Sequence, residues 1–138
     1  MVHLRPAIAE DSDFVFHVKK SSFREYVEQV WGWDEAEQRQ LHERRFAEQN
    51  VQVVLWEGRE AGFLSTEETP DYLKLNQLFL LPEYQGQGIG ADCMRLLEEA
   101  QKPIRLSVLK VNPRAVAFYL RLGYKETGET ESHRLLEK

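Results

Sequence analysis

The chain has 138 residues, a formal net charge of −5 and 42% hydrophobic residues. This length suits one domain, which we place at residues 1–138, and the hydrophobic content excludes an intrinsically disordered chain. The acidic balance argues against a nucleic-acid-binding protein, no apolar run is long enough to cross a bilayer, and Cys93 is the only cysteine. We therefore expect a cytoplasmic protein that binds neither nucleic acid nor membrane.

The first third of the sequence predicts one short strand followed by helices. Residues 2–6 alternate apolar and polar side chains, as strands do, and residues 11–13 are good N-caps for a helix. Ser22, with Glu25 three residues later, forms a capping-box pattern, so a second helix is expected to begin at Ser22. A heavily charged third helix is expected over residues 35–49.

From residue 51 the sequence predicts strands that alternate with helices. β-Branched and aromatic residues mark the strands, and proline or glycine marks their ends. The expected strands are residues 51–56, 61–65, 72–80, 104–109, 124–126 and 132–136, with helices over 89–101 and from Pro113 onward. Residues 116–120 are apolar on nearly every side, so we expect the last helix to be buried. The order of elements indicates an α/β fold around a mixed sheet.

Three alternating glycines lie where the 72–80 strand meets the following helix, in the segment Gln85-Gly86-Gln87-Gly88-Ile89-Gly90. Glycine lets consecutive backbone N–H groups turn toward one point, and a helix N-terminus adds positive potential there. The segment therefore predicts a site for an anion, most simply a phosphate or a diphosphate.

Three interpretations of this loop are a P-loop, a dinucleotide-binding fold and a plain turn, and each fits the sequence poorly. A P-loop needs a lysine and a hydroxyl residue after its last glycine, but Ala91 and Asp92 follow Gly90. A dinucleotide-binding fold accepts the spacing of Gly86, Gly88 and Ala91, but it needs an acidic residue about 20 positions further on, where this chain has none. A plain turn that binds nothing rarely needs three alternating glycines.

Two motifs together resemble the signatures of the GNAT superfamily of acyl-CoA N-acyltransferases. The glycine loop matches the pattern Gln/Arg-x-x-Gly-x-Gly/Ala. Residues 112–124, Asn-Pro-Arg-Ala-Val-Ala-Phe-Tyr-Leu-Arg-Leu-Gly-Tyr, are similar to the second signature, in which Asn-x-x-Ala precedes Phe-Tyr and Leu-Gly-Phe/Tyr. The order of elements also agrees over the whole chain. The resemblance implies a mixed, mostly antiparallel central sheet whose middle strands splay apart, flanked by helices.

The resemblance further implies that acetyl-CoA enters the cleft between the splayed strands, without a metal ion. The exposed strand edge would pair with the amides of the pantetheine arm, and the loop amides would bind the diphosphate. Asn112 would contact the cofactor and also cap its own helix. The residues assigned to the cofactor in this way are Leu78, Phe79, Leu80, Gln85, Gly86, Gln87, Gly88, Ile89, Gly90, Ala91, Asn112 and Tyr119.

Tyr119 is the residue to which we assign catalysis. Attack of an amine on a thioester passes through an oxyanion and expels a thiolate, which benefits from a proton. A tyrosine hydroxyl, with an ordinary pKa of about 10, can donate that proton at pH 7. Tyr119 also fits a purely structural role as a buried aromatic residue on an apolar helix. A backbone N–H at a strand bulge near Leu80 is expected to bind the oxyanion.

The general base is left open by the sequence. Relatives hold acidic residues at positions where this chain has Ser107, Asn76 and Gln77, and neither of the two amides can accept a proton at neutral pH. The remaining candidates, acting directly or through water, are Glu25, Glu68 and His133.

The acceptor is expected to bind against the first helices and the segment that follows them. Aromatic side chains there would form a pocket suited to a cationic amine, although the two tryptophans also fit a role in anchoring the helix end to the sheet. The candidate acceptor-binding residues are Phe23, Tyr26, Trp31 and Trp33.

These residues together predict an N-acetyltransferase that moves an acetyl group from acetyl-CoA to a primary amine by direct attack in a ternary complex. The expected partners are acyl-CoA and the amine of a small molecule or peptide, and the expected state is a monomer or homodimer. Two alternatives stay open. The missing base is compatible with a catalytically silent acyl-CoA-binding or sensor domain, and the glycine loop is compatible with a nucleotide-binding domain.

Overall fold

Seven strands and four α-helices make up the computed structural model, which describes all residues from 1 to 138. In chain order they are β1 (Val2–Pro6), α1 (Ser12–Val30), α2 (Glu35–Glu48), β2 (Asn50–Trp56), β3 (Arg59–Glu68), β4 (Leu73–Leu80), α3 (Ile89–Glu98), β5 (Ile104–Leu109), α4 (Pro113–Arg121), β6 (Lys125–Glu129) and β7 (His133–Glu137). The strands form one sheet in the order β1-β2-β3-β4-β5-β7-β6. The predicted α/β class with a mixed, mostly antiparallel sheet is confirmed, because only β4 and β5 pair in parallel. None of the helices is long and apolar enough to cross a membrane.

Helices cover both faces of this sheet, so the molecule has two apolar cores. On one face, α3 and α4 contribute side chains such as Met94 and Tyr119 to the larger cluster of buried residues. On the other face, α1 packs Val18 against Phe63 of β3 in a smaller cluster. The two faces of any strand are therefore distinguishable: a side chain points either to the α3–α4 face or to the α1 face.

Helix α1 is continuous from Ser12 to Val30, so the predicted start of a second helix at Ser22 is wrong. The Ser22 hydroxyl donates to the Val18 carbonyl one turn earlier, at 2.7 Å, and so caps nothing. Val15, Val18 and Val27 are all buried along this helix. Their common apolar face holds the helix together across the polar capping-box pattern.

Helix α4 begins as predicted but is less buried than expected. The Asn112 side-chain oxygen accepts a hydrogen bond from the Ala115 N–H at 3.3 Å, and Pro113 occupies the first turn. Within the helix only Tyr119 is buried, and Leu120 is 48% exposed. The expectation of a fully buried helix is therefore wrong, because α4 lies on the outside of the α3–α4 face.

The parallel pair β4–β5 is held together over three residues only. Pairing runs from Leu73 with Ile104 to Leu75 with Leu106, and it stops there. Strand β4 continues to Leu80 while paired with β3, and β5 continues while paired with β7. The middle strands therefore splay apart, as the sequence resemblance implied, and a gap opens between their C-terminal halves.

A bulge in β4 coincides with the beginning of this gap. Ser65 and Thr66 are consecutive on β3, but their partners on β4 are Gln77 and Leu75, which leaves Asn76 unpaired. An extra residue bends a strand and increases its twist, which explains why β4 leaves β5 at this point.

The prediction of a bulge near Leu80 is therefore wrong, because the bulge lies at Asn76. Leu80 pairs regularly with Gly62 of β3. The two strands approach so closely there that a Cβ on Gly62 would lie 2.1 Å from the Phe79 carbonyl oxygen. Glycine at position 62 permits this close approach, and the register shift of β4 lies at Asn76.

Lys19 is a buried cation on the α1 face. The residue is 4% exposed, and the charge that influences it is another cation, Arg45. Burial, followed by the repulsion from Arg45, lowers the pKa of Lys19 from 10.5 to about 7. Between these two values the unfolded chain binds more protons than the folded chain, so stability rises with pH across that window.

Replacing this buried ammonium by an apolar side chain should stabilise the fold at pH values below this range, where the lysine is charged even in the folded protein. We expect Lys19→Met to raise the free energy of unfolding by about 2 kcal/mol at pH 6.5. This is less than half of the roughly 5 kcal/mol that corresponds to a pKa lowered from 10.5 to about 7, at about 1.4 kcal/mol for each pH unit. The gain should shrink toward pH 10, and urea unfolding followed by circular dichroism at the two pH values measures it. Lys125→Met, at an exposed position of β6, is the matched control. If Lys19→Met does not raise the free energy of unfolding, or raises it equally at both pH values, the buried charge of Lys19 does not destabilise the fold.

Candidate active site

The glycine loop turns sharply between β4 and α3, which begins directly after Gly88. Gly86 and Gly88 have φ angles of 75° and 83°, a left-handed conformation that favours glycine. A Cβ at either position would meet no atom within 4 Å, so the loop borders open space. Backbone N–H groups at the start of α3 are therefore accessible to an anion.

Two glutamine side chains hold this loop in place. The Gln85 amide donates to the Leu80 carbonyl at 3.0 Å and ties the start of the loop to the end of β4. The Gln87 amide donates to the Glu83 carbonyl at 2.9 Å. Both residues thus fix the backbone of the loop.

Gly90, the third glycine, is needed for helix packing, whereas the first two are needed for the turn. A Cβ on Gly90 would lie 3.1 Å from Cζ of Phe118, so glycine at this position lets α3 pack closely on α4. Ile89 is 1% exposed and belongs to the α3–α4 core, and Ala91 is half-buried. These three residues can offer the site only backbone atoms.

Leu78, Phe79 and Leu80 form the β4 edge of the gap. All three are half-buried and have no β5 partner. Leu78 and Leu80 pack against the α3–α4 core, whereas Phe79 points to the α1 face, where its ring lies 4.6 Å from that of Phe23. The backbone of this edge is left to pair with a ligand.

Tyr119 lies on the α3–α4 face and is 8% exposed. Its ring packs edge-on against Phe118 and Tyr124, at centroid distances of 4.9 and 5.6 Å. Burial raises the pKa of Tyr119 above its ordinary value, so its hydroxyl stays protonated at neutral pH. The hydroxyl that is fully enclosed without a partner belongs to Tyr124 and not to Tyr119.

A cleft of about 370 Å³ opens beside the start of the glycine loop. It lies between α1, the loop residues Pro82 and Gln85, and the first turn of α4. Three cationic side chains line it: Lys20 and Arg24 from α1, and Arg114 from α4. Sequence reasoning missed all three, because exposed basic residues form no local motif and only the fold brings α1 and α4 together.

The aromatic candidates for acceptor binding fall into two groups. Tyr26 lines the cleft, and Phe23 lies beside it with a ring distance of 6.1 Å. Trp31, which is 61% exposed, has its ring 6.1 Å from that of His133.

Trp33 points away from this group. Its indole N–H donates to Glu35 at 2.9 Å, and its ring lies 6.5 Å from that of Phe16. The structure therefore brings Phe23, Tyr26 and Trp31 toward the gap, while Trp33 packs against the beginning of α1 and α2.

Two further sequence expectations concern Asn112 and Cys93. The Asn112 oxygen is used in capping α4, which leaves its side-chain N–H groups without a protein acceptor. Cys93 is fully buried in the α3–α4 core, as predicted, and burial raises the pKa of its thiol to about 12. No group of three His, Cys, Asp or Glu side chains is arranged to hold a metal ion.

A sheet split between two parallel strands, with a glycine loop and a helix N-terminus at the mouth of the split, is the arrangement that the sequence resemblance implied. The chain matches the model of the acetyltransferase (GNAT) domain over residues 19–135. It therefore belongs to the GNAT acetyltransferase family.

Comparison with individual proteins gives weaker sequence similarity and strong structural similarity. Thialysine N-epsilon-acetyltransferase from Sus scrofa is 32% identical over 74 residues, which cover 50% of this chain and 44% of that protein. The matched part thus spans less than half of that relative's length.

Solved structures resemble the whole chain. The PaiA N-acetyltransferase from Thermoplasma acidophilum, in complex with coenzyme A, has a TM-score of 0.77 at 17% identity and covers 100% of this chain and 98% of its own. An acetyltransferase from Thermus thermophilus has a TM-score of 0.81 at 14% identity, with coverages of 100% and 96%. At these identities the likeness shows the fold.

Proposed function

We propose that the chain is an acetyl-CoA-dependent N-acetyltransferase that transfers the acetyl group directly to a primary amine in a ternary complex. The observation that carries the proposal is the end of β4–β5 pairing at Leu75 and Leu106, beside a loop with open space around Gly86 and Gly88. Family membership supports acetyl-CoA as the donor. The name of the thialysine N-epsilon-acetyltransferase relative supports an amine as the acceptor. A cytoplasmic location stays a prediction.

The residues of the loop fit a diphosphate. The backbone N–H groups of residues 86–91 bind the anion at the start of α3, and Gln85 and Gln87 keep that backbone in place. Arg114 adds positive charge along the adjoining cleft, where Lys20 pairs with Glu35 and Arg24 pairs with Glu28. This charge offsets the overall acidity of the chain where a phosphorylated ligand would arrive.

Arg114 offers a test of this electrostatic contribution. It is exposed and lines the cleft, so we expect Arg114→Ala to weaken coenzyme A binding about three- to tenfold at low ionic strength. The difference should shrink at high salt, as measured by calorimetry. Arg121→Ala, at the exposed far end of α4, is the control and should leave binding unchanged. Equal losses of coenzyme A affinity in the two variants would show that the charge of Arg114 in the cleft does not contribute to binding.

The thioester arm fits the gap between β4 and β5. The free backbone edge at Leu78, Phe79 and Leu80 pairs with the pantetheine amides, and the side-chain N–H groups of Asn112 donate to the ligand from the end of β5. A backbone N–H at the β4 bulge stabilises the negative charge that develops on the acetyl oxygen.

Tyr119 acts as the acid. Its hydroxyl is protonated at neutral pH, since even the ordinary tyrosine pKa of about 10 lies well above 7, and it gives its proton to the departing sulfur of coenzyme A. The acceptor amine approaches from the α1 face, where Phe23, Tyr26 and Trp31 surround the gap. Trp33, whose ring lies near that of Phe16, is not part of this wall.

A thiol-release assay with acetyl-CoA and a panel of amines tests the proposal. The panel includes polyamines, amino acids, aminoglycosides and peptides, and mass spectrometry identifies the acetylated product. Amine-dependent thiol release is the expected result. Calorimetric binding of coenzyme A without turnover on any amine fits the silent sensor domain instead, and displacement of coenzyme A by ATP or NAD fits a nucleotide-binding domain.

A further inference from the structure

His133 opens strand β7 and is held in a defined orientation. It pairs with Leu109 at the end of β5, and its backbone N–H donates to the Thr130 hydroxyl at 3.0 Å. On the imidazole, Nδ1 lies 2.7 Å from the Ser132 hydroxyl oxygen. The exposed Trp31 ring at the end of α1 covers the histidine at 6.1 Å. One ring nitrogen is thus engaged, and Nε2 is left for a ligand.

The strand register places this imidazole on the face of the sheet opposite Tyr119. Leu136 of β7 belongs to the α3–α4 core together with Tyr119. Side chains alternate along a strand, so His133, three positions before Leu136, points to the α1 face. The contact with Trp31 of α1 agrees with this orientation.

His133 is also close to the gap. Its partner Leu109 lies on the part of β5 that has left β4, and neighbouring strands are about 4.8 Å apart. The imidazole lies one strand away from the gap, beside Trp31 and on the α1 face from which the acceptor amine is proposed to approach. The proposed acid, Tyr119, lies on the other face of the sheet.

The other two candidates for a base are less well placed. Glu68 ends β3 opposite Leu73, at the closed end of the β4–β5 pair, and its carboxylate lies 3.6 Å from the Lys102 ammonium. Glu25 is exposed in the outer cleft, beside the cations that suit a phosphorylated ligand.

The charged side chains near His133 are paired with one another. Lys110, which follows β5, pairs with Glu129 of β6 at 2.9 Å, and Arg134 of β7 pairs with Glu126 of β6 at 3.0 Å. The neighbours from β5 and α1, Leu109 and Trp31, are uncharged. Burial lowers the pKa of His133 below 6.5, so the imidazole is neutral and able to accept a proton at pH 7.

We propose that His133 is the general base of the transfer reaction. This inference rests on the proposed function and assigns the proton that the sequence left without an acceptor. The amine nitrogen forms its bond to the acetyl carbon, and the carbon–sulfur bond breaks. One N–H proton passes through bridging water to Nε2 of His133, and the Tyr119 proton passes to the sulfur, so base and acid act from opposite faces of the sheet.

The pH profile of His133→Gln tests this role. In the unaltered protein kcat/KM should rise with pH on an acidic limb with its midpoint below pH 6.5, because the imidazole must be neutral. In His133→Gln we expect kcat to fall about 10²-fold and the acidic limb to disappear, while coenzyme A affinity stays within twofold. His17→Gln, at an exposed position of α1, should keep the full profile.

A second measurement keeps the test valid if the variant folds poorly. The imidazole C–H resonances of His133 in the unaltered protein should titrate with the midpoint of the acidic limb. A variant with an unchanged limb, or a His133 titration that differs from the limb, overturns the inference while turnover by the unaltered protein upholds the proposed function. Absence of turnover by the unaltered protein overturns both.

Discussion

Tyr119→Phe is expected to lower kcat by about 10²- to 10³-fold, while the Kd for coenzyme A changes by less than about twofold. The substitution removes a proton donor and keeps the ring that packs against Phe118 and Tyr124. The loss should therefore appear in the chemical step and not in binding. Steady-state thiol release and calorimetry on the same preparations separate the two quantities.

Tyr124→Phe is the matched control for this experiment. Tyr124 is a neighbouring buried tyrosine whose hydroxyl has no hydrogen-bond partner, so its removal should leave kcat unchanged and should not destabilise the fold. If Tyr119→Phe retains full turnover, or if both variants lose turnover equally, Tyr119 is a packing residue and not the acid.

The second large effect is expected at the glycine loop. Gly88→Glu places a carboxylate and a strained left-handed residue where the anion binds, so coenzyme A affinity should fall by about 100-fold or more. Calorimetric titration measures this change, and circular dichroism checks that the fold survives.

Gly58→Glu distinguishes loss of binding from backbone strain. Gly58 has a φ angle of 76° and open space around its Cα, closely matching Gly88, but it lies in the β2–β3 turn. Both variants should therefore lose similar stability, and only Gly88→Glu should lose affinity. Retained affinity in Gly88→Glu would place the diphosphate elsewhere.

The features that the sequence predicts correctly are those encoded locally. The glycine loop, the Asn112 cap and the buried Cys93 each depend on residues within a few positions of one another, and the structure has them as expected. The splayed sheet follows because the order of elements and two signatures resemble one family, and the chain proves to belong to it.

The features that the sequence did not predict depend on contacts between distant segments. The capping-box pattern at Ser22 is overridden because α1 packs one continuous apolar face on the sheet. The bulge at Asn76 depends on how β4 pairs with β3, which lies earlier in the chain. Arg114 reaches the cleft only because α4 starts at the mouth of the gap. No local pattern contains any of this information.

The most direct test of the central claim is a crystal structure of the chain with coenzyme A. We expect the diphosphate to lie on the backbone N–H groups of residues 86–91. We expect the pantetheine arm to lie between β4 and β5, with its sulfur between Tyr119 and the β4 bulge. Coenzyme A bound outside that gap, or β4 and β5 paired continuously as far as Leu80, would contradict it.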